Sequence, residues 1–249
     1  MATSRLIPRL NFLRSNVRRS IFIWPIYLLA TSWMPAANAA DFNGYLTLTT
    51  DYVFRGVSYS DSGPAVQLGG DVSFSNGLFV GAWASTVDIS NGPSRQRDLE
   101  INYYAGYGFA LNKNWSANIT AVAYTYPGAT GEIDYGYEEL SATLNFDDRF
   151  WIEYAYSPDL YRTGYTTQNI EAYGELSLPH QYVFGAGIGR YDTSDLTGRA
   201  YNYWQAGISK AISIILLDLR YHDTSDWVPI ISTPDRAEAR LVLSARFRF

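Results

Sequence analysis

The last nine residues of the chain, from Leu241 to Phe249, constrain the fold more than any other segment. The odd positions carry apolar or small side chains, and from Ser244 onward the even positions carry polar ones. A two-residue period of this kind is typical of a β-strand with one apolar face and one polar face. The segment ends on an aromatic residue. We therefore expect a sheet with one face in an apolar medium and the other in a polar one.

The composition of the chain agrees with that expectation. Charged residues make up 17% of the 249 residues, whereas a soluble domain usually carries about 25%. Aromatic residues make up 16%, with 21 Tyr and 7 Trp, which is typical of a surface that meets a bilayer and its interfaces. The chain has no cysteine, which excludes disulfides, thiol nucleophiles and zinc–thiolate sites.

Residues 1–39 have the features of a secretory signal peptide. Five arginines precede a short apolar run at residues 21–33, and Ala37-Asn38-Ala39 matches an A-x-A cleavage site, so we expect cleavage after Ala39. The apolar run is too short for a transmembrane helix, which needs about 20 residues. Removal of this segment changes the net charge from −5 to −10, because it takes away five arginines and no acid. An exported protein this acidic is a poor candidate for binding nucleic acid.

The remaining residues, 40–249, alternate in segments of about ten residues and show no helical period. The predicted strands are 43–57, 64–75, 78–89, 98–110, 115–126, 136–146, 149–158, 168–178, 181–191, 200–210, 212–222 and 237–249. Short and long connections alternate between them, as in outer-membrane barrels with short periplasmic turns and long extracellular loops. The sequence therefore predicts an all-β fold in one domain, a transmembrane antiparallel up-and-down β-barrel of about 12 strands. A soluble β-sandwich does not need this regular alternation.

The polar face of each strand is predicted to line the lumen, because an arginine on the lipid face costs about 2–4 kcal/mol at the bilayer midplane. The candidate pore-lining residues are Asp51, Arg55, Asp71, Glu100, Glu139, Glu153, Glu171, Glu175, Asp218, Arg220, Arg246 and Arg248. The four arginines of this set lie on the first, eleventh and twelfth predicted strands, which predicts a basic strip facing acidic walls. These charges either select solutes in an open pore or form ion pairs that fill a narrow barrel. The glycines between Gly185 and Gly189 favour the open pore, because they place no side chains in the lumen.

The first hairpin contains the run Asp51-Tyr52-Val53-Phe54-Arg55-Gly56, followed by Pro64-Ala65-Val66-Gln67 and Gly81-Ala82-Trp83-Ala84-Ser85. This resembles the opening signature of the proteobacterial Gcw_chp family, also described as TorF-type porins. The resemblance implies a Gram-negative outer-membrane barrel with a channel role, and it supplies no catalytic residue and no substrate. In the alternating strand we expect Tyr52 and Phe54 to face lipid and Asp51 and Arg55 to face the lumen. Gly56 then permits a bend at the rim.

The C-terminal strand also resembles the closing strand of bacterial outer-membrane barrels, whose terminal signal the barrel-insertion machinery reads. Phe247 and Phe249 are the residues of that assembly signal here. The expected partners are outer-membrane lipid, the insertion machinery and small solutes.

Two functions remain open from the sequence. The first is a passive diffusion channel for small polar or charged solutes, without a cofactor or a metal. The alternative is a non-conducting barrel with a structural or adhesive role through its extracellular loops. We do not expect an enzyme: His180 lies in a predicted turn, and His222-Asp223-Thr224-Ser225 places an acid, a base and a hydroxyl in sequence but not in the geometry of a triad.

Overall fold

The fold is taken from a computed structural model that describes residues 40–88, 98–127, 134–228 and 231–249. The predicted signal peptide and its cleavage site at Ala39 lie outside the described residues and stay predictions. In the described ranges no helix is long and apolar enough to cross a membrane.

Twelve antiparallel strands form a closed barrel, as the sequence predicted. They are β1 (Ala40–Thr49), β4 (Ala65–Phe74), β5 (Leu78–Val87), β6 (Asp98–Ala110), β7 (Trp115–Thr125), β8 (Tyr137–Phe146), β9 (Phe150–Ser157), β10 (Thr167–Ser177), β11 (Tyr182–Asp192), β12 (Ala200–Ile212), β13 (Ile215–Thr224) and β14 (Arg240–Arg248). Each strand pairs with its neighbour along the barrel, and β1 closes it against β14, with residues 45–49 opposite residues 244–248. Two further strands, β2 (Val53–Phe54) and β3 (Val57–Ser58), form a separate two-stranded sheet.

The connections are short at one end of the barrel and long at the other. At the short-turn end, Asn76-Gly77 joins β4 to β5 and Gly77 has a φ of 95°, a conformation that glycine adopts at little cost. The long loops contain three short helical segments, Leu160–Arg162, α1 (Ser194–Thr197) and Asp235–Ala237, the last of which follows Pro234. A fourth, Pro179–Gln181, forms the turn between β10 and β11 at the short-turn end. In outer-membrane barrels the long loops are extracellular, so we assign the long-loop end to the cell exterior.

The outer face of the barrel is apolar. On β8, Leu140 and Leu144 are exposed, whereas Glu139, Ser141 and Thr143 are buried. The same alternation holds on the other long strands, and it matches the faces that the two-residue period predicts. A belt of exposed Leu, Ile, Phe and Tyr around a closed sheet requires an apolar solvent. The protein is therefore a transmembrane β-barrel.

The predicted first strand, 43–57, is wrong in its second half. The strand β1 ends at Thr49, and the chain then turns into the lumen, where residues 51–60 are all buried. Tyr52 and Phe54, which we expected to face lipid, are only 2% and 8% exposed and lie inside the barrel. The physical reason is a two-residue turn at Arg55-Gly56, where φ is 47° and 82°. Positive φ at both positions makes a tight hairpin and ends the extended strand.

Candidate functional site

The lumen is crossed by residues 51–60, which we call the inner hairpin. It leaves the wall between β1 and β4 and reaches the opposite side of the barrel, where Arg55 meets Glu139 on β8. Its other contacts are spread around the wall: the ring of Tyr52 packs 5.3 Å from Trp83 on β5, and that of Phe54 packs 6.1 Å from Tyr124 on β7. The inner hairpin therefore occupies the lumen and does not line its wall.

The tip of the inner hairpin is held by a buried ion pair. Arg55 donates two parallel hydrogen bonds to Glu139, with Nη1–Oε1 at 2.7 Å and Nη2–Oε2 at 2.9 Å. Its guanidinium also lies 4.6 Å from the ring centroid of Tyr191 and 4.7 Å from that of Phe54. Tyr124 donates a further hydrogen bond of 3.2 Å to Glu139. This arrangement suits a guanidinium, whose planar fork pairs with a carboxylate and whose faces stack on rings.

The base of the inner hairpin is held at the barrel rim by Asp51. One carboxylate oxygen accepts hydrogen bonds from Ser58 at 2.7 Å and Ser60 at 2.8 Å, which ties the two arms of the hairpin together. The other oxygen accepts a bond of 2.7 Å from Arg240 at the start of β14. The hairpin is thus fixed by one ion pair at its base and by another at its tip.

Aromatic side chains fill the space around the inner hairpin. The rings of Tyr124 and Tyr137 stack with centroids 4.4 Å apart, and Tyr161 packs edge-on against Tyr137 at 5.5 Å. The hydroxyls of Tyr161 and Tyr59 lie 3.4 Å apart and join the loop after β9 to the hairpin. Buried Tyr201 and Tyr203 continue this cluster along β12. The long-loop half of the lumen is therefore packed, which agrees with the alternative that the sequence left open, a narrow barrel filled by its own side chains.

The glycines of β11 do not provide the open space that the sequence suggested. A Cβ atom at Gly185 would collide with the hydroxyl of Tyr173, and one at Gly189 would collide with the ring of Tyr203. Each glycine thus lets a ring from a neighbouring strand lie flat against the wall. In this position the Tyr203 hydroxyl shares its one proton between Asn169 Oδ1 at 2.9 Å and Glu171 Oε2 at 3.1 Å.

Replacing Gly189 with alanine is expected to lower the free energy of unfolding by about 1–3 kcal/mol, because the added methyl group overpacks the site and displaces Tyr203. Denaturant titration of the protein in lipid vesicles measures this loss. Gly70→Ala is the matched control, since a Cβ there would meet its nearest atom at an ordinary 3.5 Å. Equal stability of the two variants would contradict the close packing of Tyr203.

Three glutamates form an acidic wall on neighbouring strands: Glu139 on β8, Glu153 on β9 and Glu171 on β10. Glu153 and Glu171 stand directly opposite each other in the β9–β10 ladder, where like charges are unfavourable. Glu153 accepts a hydrogen bond of 3.1 Å from Thr143, and Glu171 accepts bonds from Gln205 and Tyr203. Among the described residues, Arg55 is the cation that pairs with this wall, and it pairs with Glu139.

The predicted basic strip is not formed as expected. Arg55 is not on a barrel strand and lies across the lumen from β14. Arg220 donates two hydrogen bonds to Asp218 on its own strand, at 2.9 and 3.1 Å. Arg246 packs 4.3 Å from the ring centroid of Tyr45. The strip is thus reduced to Arg220 on β13 and to Arg246 and Arg248 on β14, and Arg220 is neutralised by an adjacent acid.

The other candidate pore-lining residues are distributed along the lumen. Asp71 and Glu100 are buried on β4 and β6, Glu175 is half-buried near the short-turn end of β10, and Arg248 is exposed at the end of β14. A pore-lining role for the whole set stays a prediction. So does the assembly signal: the backbone of Phe249 pairs with Gly44, and its side chain is exposed.

The inward-facing side chains next to the short turns are less uniformly buried than those around the inner hairpin. Several are only half-buried, whereas Phe79, Asp218 and Arg246 in the same half are buried. These half-buried residues are Ser73, Ser116, Asn145, Trp151, Glu175, Val183 and Ser209. The lumen is therefore packed less tightly next to the short turns than toward the long loops.

The histidine sequences do not assemble a catalytic site in the described part of the chain. His222 is buried on the inner face of β13, whereas Asp223 accepts a hydrogen bond of 3.0 Å from exposed Tyr221 on the outer side. His180 is exposed in a turn. Across the described ranges, no group of three or more His, Asp or Glu side chains is arranged to hold a metal ion.

An exposed ion pair at the long-loop rim has the same hydrogen-bond geometry as the buried pair at the hairpin tip. Arg162, in the loop after β9, donates two hydrogen bonds of 2.8 and 2.7 Å to Glu138. These bonds raise the pKa of Arg162 above its usual value. The two side chains are 46% and 52% exposed, so the geometry is the same as for Arg55 and Glu139 but the surroundings are water.

A family model described as "Bacterial protein of unknown function (Gcw_chp)" matches residues 34–239. The chain belongs to the Gcw_chp family. This confirms the family that the Asp51–Gly56 signature indicated. No curated protein matches the Gcw_chp chain in sequence.

Solved structures with a similar fold are outer-membrane proteins. A KdgM porin has a TM-score of 0.53 at 11% identity, and the match covers 83% of the Gcw_chp chain and 99% of the porin. A KdgM porin in complex with disordered oligogalacturonate has a TM-score of 0.52 at 9% identity, with 85% and 99% covered. An outer membrane channel from Pseudomonas putida F1 has a TM-score of 0.51 at 10% identity, with 87% and 99% covered. At these identities the similarity shows the fold alone.

Proposed function

We propose that this protein is an outer-membrane channel that passes small polar solutes through its lumen without a cofactor. The observation that carries this proposal is the polar, charged interior enclosed by an apolar outer wall, because charged and polar groups around a lumen supply the contacts that a hydrated solute needs on its way through. The porin and the channel of similar fold support it. The Gram-negative outer membrane is the location in which such barrels occur.

The solutes are small cations or neutral polar molecules. Seven acids and three arginines are buried among the described residues, and Arg55 and Arg220 are paired with acids. Rings of Asp and Glu favour cations in pores. Oligogalacturonate, the ligand named with one KdgM porin, is a polyanion, and the acidic wall of this lumen makes a polyanion a poor solute here.

Recordings in planar bilayers with the refolded protein test the channel. We expect a reversal potential in a KCl gradient that indicates preference for K⁺ over Cl⁻, and a smaller preference in the double variant Glu153→Gln/Glu171→Gln. Glu138→Gln is the control, because Glu138 is exposed on the outer side of the rim. A folded, inserted barrel that never conducts would remove the channel proposal, whereas a preference for Cl⁻ would remove only the cationic solute class.

The second candidate is a non-conducting barrel that binds an external partner through its long loops. The packed inner hairpin favours this candidate, since it fills the long-loop half of the lumen. Shortening residues 127–135 or 223–236 should then abolish binding to whole cells or envelope components and leave the barrel folded. Retained binding in both variants counts against it.

A further inference from the structure

The inner hairpin is attached to the barrel in the manner of a flap. Its strands β2 and β3 pair with each other and form no ladder with the barrel. A two-stranded hairpin of this size is at best marginally stable by itself, so its position depends on its contacts with the wall. The base is fixed by Asp51 to Arg240, and the tip is fixed by Arg55 to Glu139.

Most of the groups that surround the guanidinium of Arg55 are side chains of the barrel wall. Glu139 provides two carboxylate oxygens, Tyr124 orients them with its hydroxyl, and Tyr191 offers its ring to one face of the guanidinium. Glu153 and Glu171 add negative charge on the next two strands. If the hairpin swings out, these groups remain in place as an anionic, ring-lined site. That site matches a planar guanidinium better than the point charge of an ammonium group.

We propose that the inner hairpin is a gate, and that Arg55 closes it by occupying a guanidinium-binding site on the lumen wall. A solute that carries a guanidinium group competes with Arg55 for Glu139 and Tyr191, releases the tip and opens the lumen. The hairpin then pivots about its base at Asp51. This inference rests on the proposed channel function and names the solute class that acts on the gate.

The first test removes the internal occupant. In planar bilayers, Arg55→Ala is expected to raise the ratio of open to closed time by more than about tenfold, because loss of one partner of a buried ion pair has an effect of that size. The charge swap Arg55→Glu/Glu139→Arg is expected to restore part of the closure. Arg162→Ala, which removes the exposed pair of the same geometry, is expected to behave as the wild type. Equal currents through the wild type and Arg55→Ala would overturn the gate.

The second test adds the competing cation. Millimolar methylguanidinium is expected to raise the open ratio of the wild type in proportion to its concentration, since a tethered group acts at a finite effective concentration of that order. Methylammonium at the same concentration is expected to have little effect. In Arg55→Ala the site is empty, so methylguanidinium is expected to reduce the K⁺ current instead. No response of the wild type, or equal responses to both cations, would overturn the guanidinium site.

A third variant keeps the test decisive if Arg55→Ala folds poorly. The chain has no cysteine, so Arg55→Cys/Glu139→Cys introduces the only thiols. A short, reducible crosslinker between them is expected to close the channel, and reduction is expected to reopen it. If the reduced pair and Arg55→Ala are folded and inserted but never conduct, the channel function itself fails. If crosslinking leaves the current unchanged, the gate fails and the channel stands.

Discussion

Replacing Ile119 with arginine is expected to lower the free energy of unfolding in lipid vesicles by about 2–4 kcal/mol. Ile119 lies near the middle of β7, and its side chain is 50% exposed on the apolar outer face. A charged side chain there must either lose its hydration in hydrocarbon or distort the bilayer, and both are costly at the midplane. Titration with urea, followed by tryptophan fluorescence, measures the change.

The matched control is Leu111→Arg. Leu111 is also exposed and apolar, but it lies in the short turn between β6 and β7, at the edge of the belt. The cost of arginine falls to about 0–1 kcal/mol near the interface. Equal losses in the two variants would mean that the outer face does not pass through hydrocarbon, and the membrane topology would be wrong.

Replacing Tyr137 with alanine is expected to cost about 3–5 kcal/mol of unfolding free energy. Tyr137 is 1% exposed, and its ring stacks on Tyr124 and meets the edge of Tyr161. Truncation to alanine removes these contacts and leaves a cavity, because rings held by three different elements cannot close over it. Denaturant titration and the temperature at which the folded band is lost on gels both report this change.

Tyr165→Ala is the control for this aromatic cluster. Tyr165 lies in the loop before β10 with its side chain 44% exposed, so its removal is expected to have little effect. A loss below about 1 kcal/mol for Tyr137→Ala would mean that water replaces the ring. The long-loop half of the lumen would then be hydrated rather than packed.

The barrel wall could be predicted from the sequence because its physical cause is local. Each strand has lipid on one side and the lumen on the other. The resulting two-residue period, which places Leu140 outside and Glu139 inside, is therefore visible in the order of apolar and polar residues. Turns such as Asn76-Gly77 mark the strand ends. The predicted and observed strands therefore agree within a few residues everywhere except after Thr49.

The inner hairpin could not be recognised from alternation, since residues 50–57 continue the pattern of a wall strand. Tyr52 and Phe54 look like lipid-facing residues by their type, and nothing local distinguishes bilayer from a packed aromatic cluster as their surroundings. One signal was present: Arg55-Gly56 stands between Val53-Phe54 and Val57-Ser58, and a glycine at the second position favours a tight turn. In the sequence alone, the same glycine is equally consistent with a bend at the rim.

The lumen charges could be predicted as a set but not as pairs. Alternation within each strand identifies Glu139, Glu153 and Glu171 as inward-facing. It treats one strand at a time, however, so it does not identify the partner of any of them. The partner of Glu139 comes from the hairpin, 84 positions earlier in the sequence. The basic strip failed for the same reason, since the position of Arg55 depends on a tertiary fold that no single strand specifies.

Because β1 ends early, the ladder that closes the barrel is short. The ladder between β1 and β14 joins residues 45–49 to residues 244–248, and backbone bonds of Gly44 and Thr50 extend it by one residue at each end. On its other side, β1 is paired over residues 40–49 with β4. Fewer hydrogen bonds therefore hold β1 to β14 than hold β1 to β4. Under tension we expect the wall to separate first along this ladder, which has the fewest paired residues of those that close the barrel.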